Sequence, residues 1–260
     1  MKVELKTWGA LGLATALAGA GLAGCSGEAG EGGEAGESAQ VGEAGETGAG
    51  EGGEAGEAAG GEGGESGALS LEQRLVFMAG HVEAGLALYR AGDSAAAAPH
   101  LMHPVSETHA SEREGLDALG FDPAPFEAVS AALEAGEPAS AVEPQLAAAE
   151  ANLAKMRDAA GGDPKTQIRF LMDTAVEEYS AGVTDGAISD AAEYQDAWGF
   201  VKVAREISDN LEGDSAGKIR ATLDQMLGLW AAGKPAPKGE PAPAGQLSAL
   251  ASRVLLDLGQ

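Results

Sequence analysis

Cysteine is nearly absent from this sequence, with Cys25 the only one among 260 residues. A single cysteine can form no disulfide within the chain, so the fold must be stabilised by packing alone. It also leaves no CxxCH sequence, which excludes a haem held covalently through two thioethers. The HExxH sequence of zinc proteases is missing as well. We therefore expect a protein that is not an enzyme.

Positive charge is also scarce, because 16 Lys and Arg stand against 41 Asp and Glu, with a formal net charge of -25 at pH 7. Residues 69–260 alone carry 29 acidic and 14 basic side chains. Binding to nucleic acid or to anionic lipid headgroups depends on Lys and Arg that neutralise phosphates. The composition excludes both classes of partner.

Long hydrophobic runs are missing except near the N-terminus, where residues 8–23 carry no charge and follow Lys2 and Lys6. This run is roughly 16 residues long, shorter than the roughly 20 that a helix needs to span a bilayer. It predicts a signal peptide over 1–24. The sequence Leu22-Ala23-Gly24-Cys25 resembles the lipobox of bacterial lipoproteins. The resemblance implies cleavage before Cys25, acylation of its thiol and, with Ser26 following, an outer-membrane anchor facing the periplasm.

The segment that follows Cys25 is composed almost entirely of Gly, Glu and Ala. Between residues 26 and 68 there are 11 Glu and no Lys or Arg. Such a segment cannot bury enough apolar surface to offset the entropy cost of ordering. We expect residues 25–68 to be a disordered tether that links the lipid anchor to a folded domain over 69–260.

Apolar residues of that domain recur every three or four positions, the pattern of amphipathic helices. The clearest run comprises Leu71, Leu75, Met78, Val82, Leu86 and Tyr89. Gly- and Pro-containing breaks separate such runs, and Asp93, Asp163 and Asp214 are placed to cap the next helix. No stretch alternates with period two over a length that would indicate a sheet. The sequence therefore predicts an all-α bundle of six to eight antiparallel helices.

All four histidines fall between residues 81 and 109. If the first helix ends near Ala91 and the second begins after Asp93, an antiparallel hairpin brings His81 level with His103. His100 and Glu107 then lie one turn away on the same face as His103, whereas His109 points elsewhere.

Small residues at Gly80, Ala84 and Gly85 would allow the two helices to approach closely. The sequence thus predicts a metal site of His81, His100, His103 and Glu107, and N and O ligands of this kind suit iron, copper, zinc or manganese. Non-covalent haem, with His81 and His103 as axial ligands, is a second interpretation. In a third, the histidines only cap or hydrogen-bond near a hairpin kinked at Pro99 and Pro104.

The second half of the domain resembles a known family. Its resemblance is carried by Ile168 to Met172, Glu177-Glu178-Tyr179, Asp185 to Ile188, Glu193 to Asp196, and Phe200. This succession is similar to the helical periplasmic domain fused to bacterial iron permeases. In addition, Gly80-His81-Val82-Glu83 resembles, with shorter spacing, the GxHxxE motif of imelysin-like envelope proteins linked to iron uptake. Both resemblances imply a helical envelope module associated with iron or another metal.

The acidic residues of that half are open to two interpretations. Glu177, Glu178, Glu193 and Asp196 could supply hard oxygen ligands to a cation. The interpretation we favour from sequence is that they are solvated, while Tyr194, Trp198 and Phe200 belong to the core.

Two functions follow from the sequence. In the first, a membrane-anchored lipoprotein binds or handles a metal ion, iron foremost, and serves a metal importer or another envelope protein. In the second, a structural or interaction lipoprotein docks a protein partner, and its histidines are incidental.

Overall fold

Helices make up nearly all the regular structure of residues 69–102 and 115–259, which a computed structural model of the chain describes. The eight α-helices in these residues are α1 Leu71–Arg90, α2 Ser94–Met102, α3 Pro123–Glu134, α4 Glu143–Ala160, α5 Pro164–Gly182, α6 Ala191–Ile207, α7 Ala216–Leu227 and α8 Ala244–Leu258. Four 3-10 helices, Leu116–Leu119, Ala139–Ala141, Ser208–Asn210 and Ala231–Gly233, lie between them. The predicted all-α bundle is confirmed.

Helix α1 lies between two hydrophobic cores and contributes to both. Val76, Ala79 and Ala84 of α1 pack with α5 to α8 in the larger core, whose most buried aromatic side chains are Tyr179, Tyr194, Phe200 and Trp230. The opposite face of α1 packs with α2, α3 and α4 in the smaller core. Helix α1 is 20 residues long and buries apolar residues on two sides, so it is the central element of the domain.

The expectation of helices alone is wrong at one place. Val183–Thr184 and Ala187–Ile188 form a two-stranded antiparallel hairpin, with Val183 paired to Ile188. The turn between them is Asp185-Gly186, and both residues have positive φ, 53° and 77°. An Asp-Gly pair favours this type of turn because both residues tolerate the left-handed region. The strands are too short for a period-two pattern to reveal them.

Two of the three helix caps predicted from the sequence are present in the structure. The Asp163 carboxylate accepts hydrogen bonds from the backbone N–H groups of Lys165 and Thr166, and Asp93 accepts one from Ala96. The prediction for Asp214 is wrong. Helix α7 begins one residue later, with Ser215 at the N-cap and no side-chain hydrogen bond.

The N-terminal predictions lie outside the described residues: the signal peptide 1–24, Cys25 and the tether 25–68. Within residues 69–102 and 115–259, none of the helices combines the length and the apolar character needed to cross a membrane.

Candidate functional site

Three glycines bring helices α1, α2 and α6 into close contact. A Cβ atom at Gly199 of α6 would collide with the backbone carbonyl oxygen of Gly80 in α1, and one at Gly80 would collide with the Phe200 ring. A Cβ at Gly85 would lie 2.9 Å from Cβ of His100 in α2. The prediction that small residues near His81 permit close approach of α1 and α2 is confirmed for Gly85, whereas Gly80 and Ala84 face α6.

His81, His100 and Asp196 meet where these three helices approach one another. Nδ1 of His81 and Nδ1 of His100 each lie 2.8 Å from the same carboxylate oxygen, Oδ1 of Asp196. The two imidazole rings are stacked, with centroids 6.5 Å apart. One oxygen and two nitrogens therefore converge on one point, and each comes from a different helix.

Gln195 contacts the far side of the His100 ring. Its Oε1 lies 2.9 Å from Nε2 of His100, so both ring nitrogens of that histidine face an oxygen acceptor. Gln195 directly precedes Asp196 on α6, and the two side chains hold the His100 ring between them.

The cluster is almost completely shielded from solvent. The exposed fractions are 1% for His81, 3% for His100, and 2% each for Gln195 and Asp196. Phe77 and Phe200 pack edge-on against the His81 ring, with centroids 4.7 and 5.2 Å away. Polar groups buried to this extent are costly unless they bind one another or an ion.

Electrostatics favour an ionised carboxylate at the centre of this cluster. Burial opposes ionisation of Asp196, but the charge of His81 and hydrogen bonds from both histidines outweigh it and hold the Asp196 pKa well below its usual value. For His100, burial again opposes the charged form, whereas the hydrogen bonds to Asp196 and Gln195 raise its pKa above 6.5.

The cluster has the composition and spacing of a metal site. One potential ligand atom from each of His81, His100 and Asp196 lies within 4.8 Å of the others. Two imidazoles and one carboxylate form the ligand set of many non-haem Fe(II) proteins, and it also suits other first-row divalent ions. The same residues can also form a hydrogen-bonded network without any ion.

Of the predicted ligands, the structure brings His81 and His100 together. His103 and Glu107, as well as His109, lie outside the described residues. The histidine pattern could not indicate Asp196 or Gln195. Asp196 is 115 positions away from His81, and Gln195 is 95 positions away from His100.

The expectation that the acidic residues of the second half are solvated is wrong for Asp196, which is buried. The expectation holds for Glu177, which is exposed, while Glu178 and Glu193 are half-buried. Tyr194, Trp198 and Phe200 are core residues, as predicted. Asp196 is buried because the glycine contact between α1 and α6 places its side chain against two histidines.

Glu83, the last residue of the imelysin-like sequence, faces a different group of charges. Burial raises its pKa to about 7, and the negative charge of Glu206 adds to this effect, while Lys202 and Arg157 oppose it. Arg157 and Lys202 both form ion pairs with Glu206. Glu83 therefore lies outside the His81 cluster and marks a second charged region between α1, α4 and α6.

A Gly-x-Ser-x-Gly sequence at Gly213 to Gly217 has the spacing of the nucleophile turn in many hydrolases. That motif acts from a turn between a strand and a helix. Here a 3-10 helix, Ser208–Asn210, precedes it, and Ser215 occupies the N-cap position of α7 without a side-chain capping bond. The sequence therefore carries the spacing of a nucleophile motif without its structural context.

A comparison with known families bears on the second half of the domain. Residues 164–258 match the family model described as an iron permease-associated 4-helix bundle domain. No curated protein and no solved structure matches the chain significantly. The matched residues coincide with α5 to α8, so they include Gln195 and Asp196 but neither histidine. Helices α5 to α8 are thus similar to the iron permease-associated bundle, as the sequence resemblance indicated.

Proposed function

We propose that this chain is a lipid-anchored envelope protein whose helical domain binds a metal ion, iron foremost, and does not act as an enzyme. The observation that carries the proposal is the convergence of His81, His100 and Asp196 on one buried point. With a metal bound, the ligands would be two neutral imidazoles and one carboxylate, whose single negative charge would attract a divalent cation in this shielded position.

The similarity of α5 to α8 to an iron permease-associated bundle supports iron as the ion and a metal importer as the partner. The matched bundle supplies only the carboxylate, and α1 and α2 supply the histidines. In this chain, metal binding would therefore join the matched bundle to the helices that precede it.

A bare ion fits this cluster better than haem does. Asp196 Oδ1 lies 2.8 Å from Nδ1 of both histidines, so it occupies the space between the rings where a porphyrin would have to insert. A metal ion instead takes the same oxygen as a third ligand.

We propose that the protein is attached to the outer membrane, facing the periplasm, by lipid on Cys25. This residue ends the lipobox-like sequence Leu22 to Cys25. Two or three acyl chains on one residue, at about 0.8 kcal/mol for each buried methylene, anchor a protein stably. The protein with Cys25→Ala should accumulate as an uncleaved precursor that takes up no labelled fatty acid. Continued labelling of that variant would rule out the anchor.

Calorimetric titration of the full-length protein in detergent with Fe²⁺ under anaerobic conditions tests metal binding. We expect His81→Ala and His100→Ala each to reduce affinity by at least about 100-fold, because each removes a direct ligand. His109→Ala is the matched control and should bind as the wild type does. His103→Ala and Glu107→Gln, measured in the same series, determine whether these residues complete the ligand set. A wild-type protein that binds no Fe²⁺, Co²⁺ or Zn²⁺ would overturn the proposal.

One observation favours the second candidate, a structural or interaction lipoprotein. The contacts of Asp196 with both histidines have hydrogen-bond lengths, so the network can stabilise the crossing of α1, α2 and α6 without an ion. If this function is correct, the His81 and His100 variants will lose stability and the wild type will bind no metal.

A further inference from the structure

We propose that Gln195 is a positioning residue of this site, and that it commits the His100 ring to binding a divalent first-row cation through Nδ1. This inference rests on the proposed metal-binding function. Gln195 lies 2.9 Å from His100 but would not itself bind the ion, so its effect operates through the histidine.

The hydrogen bond between the two residues determines which nitrogen of His100 keeps its proton when the ring is neutral. The Gln195 Oε1 atom can only accept a hydrogen bond, so the Nε2 atom of His100 must donate it. A metal ion that binds His100 would displace the Nδ1 proton that the ring otherwise donates to Asp196, so the neutral ring keeps its one proton on Nε2 and its lone pair on Nδ1. Nδ1 is also the atom that lies 2.8 Å from Asp196 and faces His81.

Asp196 alone would favour the opposite arrangement. A carboxylate accepts a hydrogen bond, so a neutral His100 without Gln195 would carry its only proton on Nδ1, and metal binding would have to move that proton to a buried Nε2 with no acceptor. A protonated Nδ1 has no lone pair for a metal. Gln195 supplies an acceptor on the other side of the ring, so His100 can give up its Nδ1 proton to a metal while its Nε2 proton stays hydrogen-bonded, as in many metal-binding histidines.

Burial makes Gln195 hard to replace in this role. Its exposed fraction is 2%, so water cannot easily take over the hydrogen bond to Nε2. Gln195 and Asp196 are consecutive on α6, and one helix therefore fixes both contacts of the His100 ring.

The experiment uses the full-length protein in detergent, labelled with ¹⁵N-histidine, and Co²⁺ as the probe ion. Three variants change the acceptor of the hydrogen bond from Nε2 of His100. Gln195→Leu removes it, and Gln195→Asn shortens the side chain that carries it by one methylene. Gln195→Glu keeps an acceptor oxygen at the same distance. Gln225→Leu, at an exposed position of α7, is the matched control. Circular dichroism verifies that each variant is folded.

We expect Gln195→Leu and Gln195→Asn to weaken Co²⁺ binding by roughly 10–100-fold, the usual effect of removing a partner of a ligating histidine. Gln195→Glu keeps the acceptor and adds a negative charge, so it should bind Co²⁺ at least as tightly as the wild type. Gln225→Leu should retain the wild-type affinity within a few-fold. In the metal-free protein, the ¹⁵N shift of His100 Nε2 should be that of a protonated nitrogen in the wild type and of an unprotonated one in Gln195→Leu.

Two outcomes would contradict the proposal, and the measurements distinguish between them. A wild type that binds Co²⁺, with Gln195→Leu and Gln195→Asn binding equally well and Nε2 still protonated, would overturn the positioning role and leave the metal site in place. A wild type that binds neither Co²⁺ nor Fe²⁺ would overturn the proposed function on which the inference rests.

Discussion

Gly199 of α6 lies directly against the backbone carbonyl oxygen of Gly80 in α1, with no room for a Cβ atom between the two helices. This contact places His81, one residue after Gly80, beside Asp196, one turn before Gly199. The geometry of the candidate metal site therefore depends on a backbone contact that involves none of its ligands.

Replacing Gly199 with Ala should destabilise the domain by about 3 kcal/mol, the upper end of the usual cost of overpacking, because the obstructing atom is backbone and cannot rotate away. Urea unfolding at equilibrium measures the change. The control is Gly217→Ala in α7, where the new methyl group meets open space. That substitution should be neutral or stabilise by up to about 1 kcal/mol. Equal stability of the two variants would contradict the close contact.

Asp196→Asn should remove metal binding and lower the free energy of unfolding of the metal-free protein at pH 7 by on the order of 3 kcal/mol. The lowered pKa of Asp196 means that it is ionised at this pH. Removing one partner of a buried ion pair leaves the other charge uncompensated.

Glu177→Gln is the matched control for Asp196→Asn, since Glu177 belongs to the same iron-permease-like stretch but is exposed. It should change stability by less than about 0.5 kcal/mol. If both substitutions have the same small effect, Asp196 is not the centre of a buried network.

Glu83→Gln should stabilise the protein at pH 8 and have little effect at pH 4. The pKa of Glu83 is raised to about 7 in the folded state, so folding favours its neutral form. The stability that this group contributes is present below about pH 4.5 and is lost as pH rises through 7. One pKa unit corresponds to about 1.4 kcal/mol, and partial exposure of Glu83 reduces the full effect to on the order of 2 kcal/mol at pH 8. Unfolding curves of the wild type and Glu83→Gln at both pH values measure the effect. The same change in stability at pH 4 and pH 8 would contradict this interpretation.

Asp163→Ala should lower stability by about 1 kcal/mol, the usual cost of losing an N-cap. Its carboxylate accepts hydrogen bonds from two backbone N–H groups at the start of α5 and from the Thr166 hydroxyl. Ser215→Ala, at the N-cap of α7, is the control, because the Ser215 side chain forms no capping bond. Thermal unfolding of both variants should show a lower Tm for Asp163→Ala alone.

Local patterns in the sequence were sufficient for much of the fold. The run from Leu71 to Tyr89 predicted α1 because helical periodicity depends only on neighbours three and four residues apart. Asp93 and Asp163 were recognised as caps for the same reason, since a cap bonds to backbone two or three residues away. The short hairpin at Val183 and the start of α7 were not predicted, because two-residue strands and a shift of one residue leave no periodic signal.

For the candidate site, the sequence by itself determined that His81 and His100 lie on two consecutive helices joined by a short turn, and that glycines near His81 permit close packing. Only the tertiary structure decided that Asp196 and Gln195 face these histidines. The partners are 115 and 95 residues apart, and no local pattern specifies which faces of α1 and α6 meet. That choice is made by the fit of Gly199 against Gly80 and by burial of the surrounding core, which are properties of the packed domain.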